Sequence, residues 1–220
     1  YGGRSQEILL KYARQDVRFL RSFDIKAIVV ACGTVSTTCL PQLQAETDLP
    51  VLGVVEPACR RAVAVSKTRH VGLIATAGSV RSGTYEQIIH ALDPDVNVTA
   101  RACPLFVPLV ENGRYERGDV VIETVAREYL EPIRGSGIDT LILGCTHYPL
   151  LMDLIGEIMG PEVTLIDTGE EAAWELKRTL KAKDLLADRA QEGTTTLYAS
   201  DQPEDFGSMA KHFLQEELTS

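Results

Sequence analysis

Leu141-Ile142-Leu143-Gly144-Cys145-Thr146-His147 is the stretch that decides the fold. Large apolar residues in succession, with no polar alternation, read as a strand buried on both faces, the habit of parallel sheets. A small residue, a cysteine and a threonine then open a helical stretch. Ile28-Val29-Val30-Ala31-Cys32-Gly33-Thr34 repeats the arrangement. The two runs lie too far apart for a short repeat. They suit two similar half-molecules, each offering one cysteine. Ligands of α/β proteins gather outside the carboxyl ends of parallel strands, which places both cysteines at a cleft.

Working outward, apolar β-branched runs at 27–31, 51–55, 71–76, 96–102, 141–143, 163–166 and 195–198 read as strands. Helical spacing falls between them, at 5–21, 34–45, 57–66, 79–92, 119–133, 148–159 and 170–180. This alternation predicts an α/β fold of two similar domains, with mainly parallel sheets facing each other across a substrate cleft. Glu56-Pro57 and Asp167-Thr168-Gly169 are the crossing points. They divide the chain into a first domain of residues 1–55 plus 169–220 and a second of 56–168.

Composition excludes several classes. The 220 residues are 45% hydrophobic and 24% charged, ordinary for a globular protein and unlike disordered or collagenous chains. The formal net charge is −9, and the densest basic stretch (Arg60, Arg61, Lys67, Arg69) reads as a solvated helix face. No nucleic-acid partner is expected. No apolar run approaches the about 18 residues of a membrane span, and no basic stretch followed by an apolar one opens the chain as a secretory signal would. The five cysteines are odd in number and lack C-x-x-C spacing. That argues against a disulfide framework or a zinc site and for reduced thiols in the cytoplasm. Cys39, Cys59 and Cys103 read as small buried hydrophobes.

Cys32 and Cys145 carry the chemistry. A thiol at a helix start meets the positive end of the helix dipole, which lowers its pKa from about 8.5. Free N–H groups there suit a carboxylate, and Thr34 and Thr146 add hydroxyls. Two thiols across one small substrate make a two-base site, in which one removes a proton and the other returns one to the opposite face. His147, with a free pKa of about 6.5, can exchange a proton with the neighbouring thiol. Spacing alone gives Glu111 no role. A hydrolase using Cys145 and His147 for acyl transfer, or a binding module without chemistry, remains open at this point.

The chain resembles the glutamate racemases of the aspartate/glutamate racemase superfamily over nearly its whole length. The resemblance rests on Tyr1-Gly2-Gly3-Arg4-Ser5, Val30-Ala31-Cys32-Gly33-Thr34, Thr76-Ala77-Gly78-Ser79 with Arg81-Ser82-Gly83-Thr84-Tyr85, Pro108-Leu109-Val110-Glu111, and Gly144-Cys145-Thr146-His147-Tyr148-Pro149-Leu150. Aspartate racemases usually carry Glu at the position of His147, so His favours glutamate. The resemblance implies cofactor-independent interconversion of L- and D-glutamate, with D-glutamate supplied for peptidoglycan. Another acidic amino acid is the alternative substrate. Cys32 would be the base for D-glutamate and Cys145 for L-glutamate, with His147 supporting Cys145 and Glu111 orienting His147. Tyr1, Gly2, Gly33, Thr34, Thr76, Ser79 and Thr146 would hold the small-molecule substrate. The resemblance further implies a cytoplasmic homodimer with no metal, no pyridoxal phosphate, no membrane and no nucleic acid.

Two departures accompany it. The family usually has Asn where Gly33 stands, and that side chain contacts substrate. Family members also begin with an apolar strand ending in Asp-Ser-Gly, whose Asp pairs with the first cysteine, whereas this chain opens inside the Tyr-Gly motif. The expectation is therefore that a native N-terminus is missing, and that a polypeptide beginning at Tyr1 has little racemase activity.

Overall fold

In the computed structural model, residues 1–188, 193–201 and 210 are described. The chain opens on α1 (Gln6–Leu20), whose first turn is capped by the Ser5 hydroxyl accepting the Ile8 N–H at 3.5 Å. β1 (Ile28–Val30), α2 (Gly33–Thr38), α3 (Leu40–Ala45) and β2 (Val51–Gly53) come after it. Next are α4 (Val55–Val65), β3 (His70–Ala75), α5 (Ala77–Ser82), α6 (Thr84–Leu92) and β4 (Asn97–Ala102). α7 (Phe106–Glu111) and α8 (Val120–Arg134) lead to β5 (Thr140–Gly144). A 3-10 turn (Tyr148–Leu151), α9 (Met152–Met159), β6 (Thr164–Asp167) and α10 (Thr168–Ala182) complete the order.

The expected α/β class with parallel sheets is what the chain adopts. β1 and β2 pair in parallel, Ile28 opposite Val51. The other strands form a second parallel sheet in the order β4-β3-β5-β6, with Gly72 opposite Thr99 on one side and Leu141 on the other. All residues of β5 are buried, as its unalternating apolar sequence requires of a central strand. Leu9, Ala13, Val35 and Leu43 pack on Ile28 and Val51 of the small sheet. Val55, Ala58, Ala62, Tyr85 and Ile89 pack with Val71, Leu73 and Ile142 of the large one. Both sheets lie within one compact unit, Tyr1–Leu186.

Three expected elements differ. The helix over 34–45 is broken at Cys39. Pro41 cannot donate to the Thr37 carbonyl, and its ring would crowd that carbonyl in a continuous helix. The Thr84 hydroxyl donates to the Thr37 oxygen instead, at 3.0 Å. The helix over 79–92 is two helices, because Gly83 takes φ +64° and turns the chain between them. No strand forms over 195–198, where Leu197 and Tyr198 are exposed. α7, which periodicity does not show, occupies the apolar stretch before Glu111.

Candidate active site

The carboxyl ends of β1, β3, β4 and β5 open on one cleft of about 660 Å³, inside the about 300–1,000 Å³ span of small-molecule sites. Cys32 enters it from the end of β1 and Cys145 from the end of β5. Tyr1, Gly2, Gly33, Thr34, Thr76, Glu111, Thr146 and His147 also line it. Ser79 does not; it is buried behind Thr34 and Thr76. Cys39, Cys59 and Cys103 are buried, but Cys103 also contributes to the cleft wall. Pro104, Val107 and Pro108 supply an apolar wall. Sequence reading missed it, although the strand-end rule applied to β4 points to Cys103-Pro104.

Cys145 is the head of a chain of contacts. Its Sγ lies 3.8 Å from His147 Nδ1, and His147 Nε2 lies 3.1 Å from Glu111 Oε1. The Glu111 carboxylate accepts from Nε2–H, which makes Nδ1 the unprotonated nitrogen that faces the thiol. Burial lowers the pKa of His147, and the Glu111 carboxylate partly restores it, so the imidazole is neutral near pH 7. The lowered thiol expected at a helix start is not found at Cys145. Burial pushes this thiol up to about 11, against the opposing effect of the His147 backbone N–H. The side chain is almost fully enclosed, and the chain beyond it enters a 3-10 turn, so no α-helix start faces the thiol. A negative charge on Cys32 would raise Cys145 further, so the two thiols are electrostatically coupled.

On the other side of the cleft the polar groups are hydroxyls. Thr34 Oγ1 and Thr76 Oγ1 are 2.9 Å apart, and Ser79 Oγ completes a triangle at 3.1 Å from Thr76 and 3.5 Å from Thr34. Thr76 also caps α5, accepting the Ser79 N–H at 3.2 Å. Gly2 presses on this corner: an added Cβ would come within 2.7 Å of Thr76 Cβ. No group of three or more His, Cys, Asp or Glu among the described residues could hold a metal ion.

The family model for Asp/Glu/hydantoin racemases matches residues 2–176. This chain belongs to that racemase family. Among its relatives, the glutamate racemase of Geobacter metallireducens is 44% identical over 97% of this chain and 78% of its own length. The crystal structure of a Bacillus anthracis glutamate racemase superposes with a TM-score of 0.89 at 35% identity, over 100% of this chain and 81% of that one. A Francisella tularensis glutamate racemase in complex with D-glutamate gives the same TM-score at 33% identity, over 100% and 81%.

Within this racemase frame Gly33 acquires a physical account. A Cβ at that position would lie 2.6 Å from the Gly144 carbonyl oxygen, nearer than any side chain tolerates. The turn after Cys32 therefore rests directly on the turn before Cys145, and a side chain at position 33 has no room here.

Proposed function

We propose that this racemase interconverts L- and D-glutamate without a cofactor, using Cys32 and Cys145 as an acid–base pair. The observation that carries the proposal is the meeting of two strand-end cysteines, from two different sheets, in one cleft, with a His147–Glu111 pair behind one of them. From L-glutamate, His147 Nδ1 takes the Cys145 proton and the thiolate removes the substrate α-proton. The electron pair left on the α-carbon delocalises into the α-carboxylate. The Cys32 thiol then donates its proton to the opposite face, giving D-glutamate. The reverse reaction exchanges the roles.

A thiol raised to about 11 is almost wholly protonated near neutral pH. Substrate changes that, because the α-ammonium brings a positive charge beside both sulfurs and favours their ionised forms. The Thr34, Thr76 and Thr146 hydroxyls and the backbone N–H groups of both turns would hold the carboxylates. The same reading makes the enzyme a cytoplasmic homodimer supplying D-glutamate for peptidoglycan.

Deuterium wash-in at the α-carbon tests the proposal. Cys145→Ser should stop exchange from L-glutamate and Cys32→Ser from D-glutamate, each by about 10²-fold or more, the usual worth of a general base. Cys39→Ser and Cys59→Ser should leave exchange near wild type. Cleavage of glutamate esters or amides without α-exchange would instead establish a Cys–His hydrolase.

A further inference from the structure

Tyr85 has no part in the chemistry above, yet its placement is unusual. It lies in the first turn of α6, fully buried among Leu73, Cys59 and Ile89. Its Oη is one of two buried side-chain polar atoms without a hydrogen-bond partner among the described residues. A buried hydroxyl in that state is destabilising, so its presence calls for a physical reason. The direction in which it points supplies one. A Cβ added to Gly33 would stand 3.7 Å from Tyr85 Oη and 2.6 Å from the Gly144 carbonyl oxygen. Gly33 is next to Cys32 in the chain, and Gly144 is next to Cys145. The phenol oxygen therefore lies beneath the place where the two cysteine-bearing turns touch. Burial holds its pKa well above 10, and the thiols of Cys59, Cys145 and Cys32 act in the same direction. It is thus a donor at any working pH.

We infer that Tyr85 is a positioning residue for both thiols: with substrate in the cleft, its hydroxyl donates to the Gly144 carbonyl and fixes the Cys32 and Cys145 turns at their working separation. The inference rests on the two-thiol reading. Both oxygens lie within 4 Å of one point between the two turns, and a shift of either turn that brings them together closes the bond. The absence of a side chain at position 33 is what leaves that path clear.

Tyr85→Phe removes only the oxygen. The substrate-free protein should melt at or above the wild-type temperature, because no bond is lost and an unpartnered buried group is gone. Turnover should nevertheless fall about tenfold in both directions and KM should rise, because a bond made on binding is lost and the reacting groups are misplaced by a fraction of an ångström. The rise in melting temperature produced by D-glutamate should shrink. Wild-type turnover and a wild-type ligand shift in Tyr85→Phe would overturn the inference. So would a lower substrate-free melting temperature, which would mean the hydroxyl is already bonded. If Cys145→Ser and Cys32→Ser both left α-proton exchange at the wild-type level, the two-thiol reading would fall by itself, and the ligand-induced shifts would still decide the role of Tyr85.

Discussion

At the scale of single residues, the consequence of the Cys145–His147–Glu111 chain is a pH dependence with a definite sign. Burial lowers the pKa of His147, so protonation sets in only below its free value of about 6.5. A protonated Nδ1 cannot take the thiol proton. The rate from L-glutamate should therefore hold at neutral pH and fall as pH drops through that lowered value. Stability moves the same way: the unfolded chain takes up the proton more readily, so acid favours unfolding. Glu111 opposes the burial effect, and Glu111→Gln should shift the acid limb of kcat/KM to still lower pH. His147→Gln should abolish that limb and slow turnover from L-glutamate by at least about tenfold, at the lower end of general acid–base effects or below. An acid limb unchanged in Glu111→Gln would mean the 3.1 Å contact does not orient the imidazole in solution.

Among the elements, the breaks in the helices decide what reaches the cleft. Gly83 takes φ +64° between α5 and α6, a region that costs a residue with a Cβ about 1–2 kcal/mol. Gly83→Ala should lower the melting temperature by a few degrees, measured by calorimetry, while the cysteine pair stays intact. An unchanged melting temperature would mean that α5 and α6 can merge without cost. Both breaks were legible in the sequence, as Pro41 and Gly83, but helical periodicity reads through a single interruption. The strands carrying Cys32 and Cys145 were legible because a buried parallel strand leaves an unmistakable apolar run. α7 was not: six residues containing Pro108 are too short to show a period. The run at 195–198 misled because β propensity is a preference that context overrides. The thiol pKa of Cys145 was also beyond sequence, because it is set by enclosure from several elements at once.

Across the whole molecule, the cleft depends on polar contacts that tie the small sheet to the large one. Thr34 stands just beyond β1 of the small sheet and Thr76 just beyond β3 of the large one, so their 2.9 Å hydroxyl contact joins the two strand-end turns. Ser79 backs that contact from a buried position, and Thr76 caps α5 with the same oxygen. Thr76→Val preserves the shape and removes all of this. Loss of a threonine cap alone costs about 1 kcal/mol, equivalent to about 2–4 °C in melting temperature for a domain of this size. The lost contact between the turns should also loosen the seat for substrate, so KM for glutamate should rise. Thr76→Ser keeps the hydroxyl and should restore both quantities. Two measurements separate the parts. A fall in melting temperature with an unchanged KM would confine Thr76 to capping α5. A rise in KM that Thr76→Ser reverses would establish that the oxygen joining the two sheets also helps hold the substrate.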